Sequence, residues 1–468
     1  MRRTTQYASL GPSHAALYPG LFERPVVAFF RTARDLLTGG PAHGGDVSQR
    51  RIVIVGNSAA SLAALEAVRR ADAKSPVTLV ADEAIPAYSR VLLPYLVSGE
   101  RLDLSLRPPD YAERMGVRML LGRRAVGIAA DALELDDGTR LPFDRLLVAT
   151  GSRAAIPDVE GIATPGVSAL KTMADALRIR GELSGVRHAV ILGGGLICLL
   201  TVHALLKVGV SVTIAVSSDR LLTRMLDEEA ASRLQRRLEE AGVRILTRTD
   251  AARIVGSNGR VRSVVTAAGE ALPAEMVILA KGIRPDIELA RAGGLATGRG
   301  VLVDEYLRTS RPDVFAAGDC AEAPDMLVRG KTTIPGTWFE AVAQGEFAGA
   351  NMLDLSRPSP GAFKMNVMEI LGIAVSSMGL IHAPEPDGRV VVRARESNYR
   401  KLVLDGDRIV GAVLVGEVSE AGPIAAMIRR GLTLADLKPF DPSQPIRYAE
   451  LAVKWGARAH EAAAFHLR

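Results

Sequence analysis

The sequence predicts an α/β protein in which two similar strand–turn–helix–strand units are followed by a smaller α+β module. Three observations support this fold class. An apolar strand runs into a turn of small residues and then a helix in residues 51–70, and the pattern restarts in residues 189–218. From residue 362 onward the chain changes to short strands and one helix. Because strands that alternate with helices favour parallel sheets, we expect two such sheets and a separate C-terminal module.

The composition is typical of a globular chain with more than one domain. Its length of 468 residues predicts about two to four domains. The balance of 48% hydrophobic and 24% charged residues is that of a globular protein. Aromatic residues make up only 4%, which argues against a stacking surface for single-stranded nucleic acid. The net charge of +6 is spread along the chain, so we expect a solvated basic surface and no nucleic-acid partner.

The cysteines, the histidines and the N-terminus limit which other classes of protein the chain can belong to. Cys198 and Cys320 are far apart and the seven histidines are scattered, so we predict no metal site and no chain-held iron–sulfur cluster. The N-terminus has no apolar stretch after its arginines, which predicts a cytoplasmic protein without a signal peptide. Residues 189–206 are about long enough to span a membrane, but three glycines favour a buried strand–turn–helix.

Residues 1–48 are predicted to be an extension outside the two main units. Several Gly and Pro breakers surround one stretch, residues 26–37, whose apolar residues share a helical face. Two alternatives remain open for this stretch. It packs on the protein's own surface, or it docks on a partner subunit or a membrane.

The first turn, Gly56 to Ser61, is a candidate phosphate-binding turn. Small residues there let backbone amides approach a pyrophosphate, although only the first fingerprint glycine is present and Ser58 and Ser61 fill the other places. Asp82 and Glu83 end the next strand, where a ribose hydroxyl needs an acceptor.

The second turn, Gly193-Gly194-Gly195, matches two of the three fingerprint glycines and has Cys198 in the third place. The strand that follows ends at Val216 without an acidic residue. Two paired turns in one chain therefore predict two Rossmann-like dinucleotide-binding domains.

The order of motifs identifies a family resemblance. The two turns, the segment Ala149-Thr150-Gly151 and the closing segment FAAGDCAE (315–322) follow one another as in the FAD-dependent pyridine nucleotide oxidoreductases. The chain resembles this superfamily over roughly residues 50–440. Residues 87–100 and 399–417 resemble the branch of rubredoxin reductases and the flavin part of nitrite reductases.

The resemblance implies a domain division. An FAD-binding domain would comprise residues 49–167 and 292–357, interrupted by an NAD(P)-binding domain of residues 168–291. A C-terminal α+β domain of residues 358–440 and a tail of residues 441–468 would follow.

The resemblance also implies cofactor contacts. The helix that starts near Glu340 would direct its amides at the flavin, and Val126 would contact adenine through its backbone. The positions implied for FAD are Gly56, Ser58, Ala59, Ala60, Ser61, Asp82, Glu83, Arg90, Val126, Ala149, Thr150, Gly151, Gly318, Asp319 and Ala341. The positions implied for NADH or NADPH are Gly193, Gly195, Leu196, Ile197, Val216 and Gly282.

Departures from the family pattern narrow the chemistry. Val91 stands where thiol-dependent relatives carry a reactive cysteine, so disulfide and peroxide reduction are not expected, and both cysteines are predicted to be buried. Leu200 and Val216 replace polar nucleotide contacts, which predicts a working nicotinamide site that does not choose cleanly between NADH and NADPH. For Arg90, contact with the flavin and exposure to solvent both remain open.

We therefore predict an FAD-dependent oxidoreductase that passes electrons between a nicotinamide nucleotide and an external redox protein, of iron–sulfur type. No catalytic side chain is predicted, because the cofactor carries the chemistry. The alternative is a flavin-bearing relay or scaffold subunit whose nicotinamide pocket has degenerated. A homodimer and a complex subunit both remain open.

Overall fold

Residues 50–437 and 441–445 are described by the structure, a computed structural model of the chain. The predicted extension 1–48, with its helix 26–37, lies outside the described residues. Among these residues, one unit contains 50–222 and 238–362, and a second contains 223–237, 363–437 and 441–445.

The first unit contains a five-stranded parallel sheet whose strands are in the order β19-β7-β1-β2-β3. Its strands are short apolar runs, and all four residues of the first strand are buried, as expected when helices cover both faces. The bounds are β1 Ile52–Val55, β2 Val77–Ala81, β3 Val117–Leu121, β7 Arg145–Val148 and β19 Val314–Ala316.

Two helices pack closely beside this sheet, α1 (Ala59–Ala71) and α8 (Trp338–Asn351). Gly345 permits the close approach, because a Cβ atom there would lie 2.2 Å from the carbonyl oxygen of Ala60. Gly349, one turn later, meets α1 in the same way. The turn before α1 and the start of α8 therefore belong to one packed region.

A second five-stranded parallel sheet, in the order β12-β11-β10-β16-β9, contains the restarted pattern. Its bounds are β9 Val167–Ala169, β10 His188–Leu192, β11 Ser211–Ala215, β12 Arg244–Leu246 and β16 Met276–Leu279. The helices in this part of the chain are α4 Met173–Glu182, α5 Leu196–Lys207, α6 Glu228–Glu240 and α7 Glu288–Ala292. Residues 189–206 form β10, the glycine turn and most of α5.

Two segments connect the parallel sheets, and they pair with each other. β8 (Ser152–Ala154) leaves the first sheet, and β17 (Ile283–Pro285) returns from the second as its antiparallel neighbour. The remaining small strands are β4 Ala125–Ile128, β5 Ala132–Leu135, β6 Arg140–Pro142, β13 Ala251–Ser257, β14 Arg260–Thr266, β15 Ala271–Pro273, β18 Val301–Leu302, β20 Ala321–Pro324 and β21 Thr332–Thr333. The remaining helices are α2 Leu93–Ser98 and α3 Tyr111–Arg114, with a 3₁₀ turn at Arg90–Leu92.

The second unit is built on a five-stranded antiparallel sheet in the order β22-β23-β26-β25-β24. Its strands are β22 Met365–Ile370, β23 Ile373–Gly379, β24 Gly388–Ala394, β25 Tyr399–Asp405 and β26 Arg408–Val415. Helix α9 (Ala421–Arg429) and a 3₁₀ turn (Ala435–Leu437) follow.

The predicted fold class is thus confirmed, with two parallel sheets and a C-terminal α+β part. The residue boundaries of the predicted domains stay predictions. None of the helices within residues 50–437 and 441–445 has the length and apolar character needed to cross a bilayer.

Candidate functional site

The turn after β1 is held against the end of β7. Gly56 has φ +116° and donates its N–H to the carbonyl oxygen of Val80 at 2.8 Å. A Cβ atom at this position would lie 2.1 Å from the carbonyl oxygen of Ala149, so only glycine fits. The turn therefore presents the start of α1 at the carboxyl edge of the first sheet, where ligands bind in open α/β sheets.

The start of α1 has polar atoms that lack partners. Ser58 is the N-cap residue but makes no side-chain capping bond, so the first amides of the helix are uncapped. Among the described residues, the Oγ of Ser61 and the Oδ1 of Asn57 are buried without a hydrogen-bond partner. Orphaned buried polar atoms beside a free helix N-terminus fit the pyrophosphate and ribose groups of a dinucleotide.

The acids after β2 differ in their surroundings. Asp82 is exposed, whereas the carboxylate of Glu83 forms an ion pair with Arg90 and accepts a hydrogen bond from the Tyr88 hydroxyl at 2.8 Å. Burial raises the pKa of Tyr88 and keeps its hydroxyl protonated. Arg90 is thus partly buried in this network rather than solvent-facing, and Asp82 is the more exposed acid, whose Oδ1 accepts a hydrogen bond from the Glu83 N–H at 2.9 Å.

Lys171, which sequence reasoning missed, reaches into the same region from the segment after β9. Its Nζ donates to the Ser152 Oγ at 2.8 Å and lies 3.7 Å from the Asp319 carboxylate. Ser152 in turn donates to Asp319 at 2.6 Å. Burial lowers the pKa of the Lys171 ammonium, and Asp319 opposes that shift. The signal available in the sequence was the position of Lys171 between the apolar Leu170, which is buried, and Thr172, the residue that caps α4.

Backbone contacts connect the same segment to the region after β2. The Lys171 carbonyl accepts a hydrogen bond from Arg90 at 3.1 Å, and the Met173 N–H donates to the Tyr88 hydroxyl at 2.9 Å. The predicted positions Glu83, Arg90 and Asp319 are therefore brought together through residues of the second sheet's chain segment.

The closing motif meets the start of α8. The Gly318 N–H donates to the Oε1 of buried Gln344 at 2.8 Å, and Ala341 lies one turn earlier on the same helix. Thr337 caps α8 by accepting from the Glu340 N–H at 3.4 Å. The structure therefore brings the implied positions Gly318 and Ala341 next to α1.

Two further regions in which the family resemblance implies cofactor contacts lie at the edge of this site. Thr150 donates its hydroxyl to the carbonyl oxygen of Asp286 at 2.6 Å, and Gly151 accepts from the Asp286 N–H at 2.9 Å. Val126 lies in β4 with its side chain 47% exposed, just after Arg123, whose N–H donates to Ala81 at the end of β2.

The second glycine turn repeats the geometry of the first. Gly193 has φ +129°, and a Cβ atom there would lie 2.1 Å from the carbonyl oxygen of Ala280. Gly195 caps the twelve-residue helix α5 without a side-chain bond, and no described atom lies within 4 Å of a Cβ built on it. The start of α5, Leu196 and Ile197, is half-buried.

Val216 is packed beneath this turn. A Cβ atom on Gly194 would lie 2.9 Å from the Cγ2 of Val216, and Val216 is only 5% exposed. Beyond it, the Ser218 hydroxyl donates to the Arg220 carbonyl at 2.7 Å. Arg248 donates its backbone N–H to the carbonyl oxygen of Ser218 at 2.8 Å and has an exposed side chain. A cationic residue therefore lies near the end of β11.

A cavity of about 360 Å³ opens at the carboxyl edge of the second sheet. Lys281, which pairs with Asp250 at 2.6 Å, lines it together with Leu192 at the end of β10. Gly282, an implied nucleotide contact, follows directly and accepts a hydrogen bond from the Ala155 N–H at 2.9 Å.

Both cysteines are fully buried, as predicted. Burial raises the pKa of each thiol, and the Sγ of Cys320 lies 3.4 Å from the carbonyl oxygens of Val148 and Ala317. Neither sulfur is therefore available as a thiolate nucleophile. In the described part of the chain, no group of three or more His, Cys, Asp or Glu residues is placed to hold a metal ion.

The chain matches the family described as pyridine nucleotide-disulphide oxidoreductase over residues 50–345. Residues 365–432 match the rubredoxin NAD+ reductase C-terminal domain.

Curated relatives include the NADH-dependent phenylglyoxylate dehydrogenase subunit epsilon of Aromatoleum evansii. It is 30% identical over 86% of this chain and 96% of the relative. The biphenyl dioxygenase system ferredoxin–NAD(+) reductase component of Paraburkholderia xenovorans is 34% identical over 75% of this chain and 86% of the relative. The chain spans only half the length of a Bacillus subtilis nitrite reductase [NAD(P)H], with 27% identity over 86% of this chain.

A solved structure of the covalent putidaredoxin reductase–putidaredoxin complex resembles this chain with a TM-score of 0.76 and 26% identity. The similarity covers 82% of this chain and 94% of that one.

Proposed function

This chain belongs to the pyridine nucleotide-disulphide oxidoreductase family and is an FAD-dependent NAD(P)H oxidoreductase, and we propose that it delivers its electrons to an external iron–sulfur protein. The predicted family, cofactors and enzyme class are thereby confirmed. FAD, held by residues of the chain, would supply the redox chemistry between the nicotinamide and the electron acceptor. The chain itself binds and orients the two nucleotides.

The proposal of an external electron acceptor rests on the burial of both cysteines. Relatives of the thiol-dependent kind need a reactive sulfur beside the flavin, but Cys198 and Cys320 are each 0% exposed. Electrons therefore leave the described part of the chain to another molecule. Two relatives whose names or titles join a reductase to a ferredoxin or a putidaredoxin support an iron–sulfur protein as that molecule. The net charge of +6 suits an acidic one.

We assign the predicted contact residues to the two nucleotides as follows. The turn at Gly56 and the orphaned Ser61 hydroxyl would hold the FAD pyrophosphate, with Asp82 at its ribose. Lys171 and Ser152 would hold the carboxylate of Asp319 in place for the ribityl chain. The uncapped start of α5, with Gly193 and Gly195, would hold the pyrophosphate of NADH or NADPH. The predicted domain boundaries and the cytoplasmic location stay predictions.

An anaerobic titration tests the proposed function. We expect NADH or NADPH to bleach the flavin absorbance of the purified yellow protein, and an added ferredoxin to restore it. Dioxygen and a small disulfide serve as comparison acceptors, and each should reoxidise the flavin far more slowly. Faster reoxidation by either one would contradict the iron–sulfur acceptor.

A second candidate function follows from the phenylglyoxylate dehydrogenase relative, which is a subunit by its name. This chain would then relay electrons inside a larger complex, and the loss of polar contacts at Leu200 and Val216 favours a weak nicotinamide pocket. Absence of bleaching with both nucleotides, together with co-purifying subunits from the host, would support this alternative and overturn the first.

A thiol-free variant, Cys198→Ala with Cys320→Ser, is expected to keep wild-type rates of flavin reduction and of electron delivery to ferredoxin, within about twofold. The reason is that both sulfurs are buried and protonated. Serine retains a donor near the two carbonyls that Cys320 contacts. Stopped-flow rates measure the outcome, and a loss of more than tenfold with the flavin still bound would show that a thiol takes part.

A further inference from the structure

We propose that the edge strand β24 pairs with β24 of a second copy of this chain, which joins two five-stranded sheets into one. β24 ends the order β22-β23-β26-β25-β24, and its pairing with β25 runs over seven residues without a register shift. Long, regular edges are the ones that attract another strand.

The alternating hydrogen-bond pattern between β24 and β25 identifies which backbone groups of β24 face away from the sheet. Arg395 and Asn398 exchange both backbone hydrogen bonds at the hairpin end, at 2.8 and 3.3 Å. Bonded and non-bonded pairs alternate in an antiparallel ladder, so the outward groups belong to Gly388, Val390, Val392 and Ala394. No described residue beyond this edge bonds to them.

Two apolar side chains lie at the same edge. Val390 is 47% exposed and Val392 is 50% exposed, which is unusual for strand valines whose neighbours across the strand, Val403 and Lys401, are buried. A second strand would cover them. Within its seven residues β24 has no bulge, proline or lysine of the kind by which natural sheets prevent such pairing. Its charges are Arg389 and Arg393, and Pro384 lies against Gly388 at the start of the strand.

The charges select one antiparallel register. If Val390 faces its own counterpart, Asp387 faces Arg393 twice, once on each side of the axis. With Val391 at the centre, Arg389 faces Arg393, and this repulsion offsets the attraction of Asp387 for Arg395. With Val392 at the centre, Arg389 faces Arg395, which is repulsive, and Asp387 gains no cation. Asp387 and Arg393 have no ion-pair partner among the described residues, so both are free to pair across the axis. About six backbone hydrogen bonds would accompany this register.

Sedimentation of the full-length, flavin-loaded protein over a wide concentration range tests the pairing. We expect a monomer–dimer equilibrium whose dissociation constant rises about tenfold in Asp387→Arg and likewise in Arg393→Asp, because each change creates two like-charge pairs. The double variant carrying both changes should restore wild-type dimerisation.

Arg389→Asp is the matched control. It changes the charge of the same strand by the same amount, but its residue faces Val391 in this register, so dimerisation should not weaken. Flavin absorbance shows that each variant is folded. A monomer at all concentrations would overturn the proposal, as expected if terminal segments of the chain cover this edge. A dimer whose dissociation constant is unchanged by both single charge reversals would also overturn it, because another surface would then associate.

Discussion

A Gly56→Ala variant is expected to bind FAD at least about tenfold more weakly than the wild-type protein and to purify with less of it. The added Cβ atom would lie 2.1 Å from the carbonyl oxygen and 2.9 Å from the carbonyl carbon of Ala149, and φ is +116°. Strain of this kind costs roughly 1–3 kcal/mol even before the turn moves, and about 1.4 kcal/mol is already tenfold in affinity. Flavin absorbance per polypeptide gives the measurement.

Gly181→Ala provides the matched control for this substitution. Gly181 lies inside α4, and outside the helix's own backbone no atom of the described residues lies within 4 Å of a Cβ built there. Alanine should therefore leave FAD content unchanged and stabilise the helix by roughly 0.5–1 kcal/mol. Wild-type FAD content in Gly56→Ala would show that the cofactor does not depend on this turn.

Ser61→Ala separates FAD binding from folding at the same turn. The Ser61 hydroxyl is buried and has no hydrogen-bond partner among the described residues, so its removal should not lower the melting temperature of the apoprotein. If the hydroxyl contacts FAD, affinity for the cofactor should fall about fivefold, as expected for one hydrogen bond. The reverse pattern, a less stable apoprotein with unchanged FAD affinity, would contradict the assignment.

A Gly193→Ala variant should remain yellow but lose reduction by nicotinamide nucleotides. Its Cβ atom would lie 2.1 Å from the carbonyl oxygen of Ala280, just after β16 of the second sheet, while the first turn is untouched. We expect the apparent dissociation constants of NADH and NADPH to rise at least about tenfold in anaerobic titrations. Simultaneous loss of flavin would show that the two turns do not act separately.

Gly195→Ala is the more informative companion. A Cβ atom at Gly195 meets no described protein atom within 4 Å, so folding should be unaffected. Any weakening of nucleotide binding would then come from contact between the methyl group and the bound nucleotide. Unchanged affinity would place the pyrophosphate elsewhere.

Local patterns in the sequence were enough to predict the paired turns. An apolar strand followed by small residues and then by apolar residues at helical spacing predicts a strand–turn–helix. Burial of Cys198 and Cys320 was predicted from the residue type, because free cysteine behaves as a small buried hydrophobic residue. These features depend on residues close together in the chain, or on the repeated pattern itself.

Contacts between distant segments were decided only by the tertiary structure. Lys171 and Asp319 carry no sequence signal of their meeting, yet the connection of the two parallel sheets brings them within 3.7 Å. The ion pair between Glu83 and Arg90 likewise depends on how the loop after β2 folds. The sequence showed that strands follow residue 362, but not that β24 is at the edge. The physical reason is that local periodicity decides whether a segment is a strand or a helix, whereas strand order and side-chain partners depend on how all segments pack together.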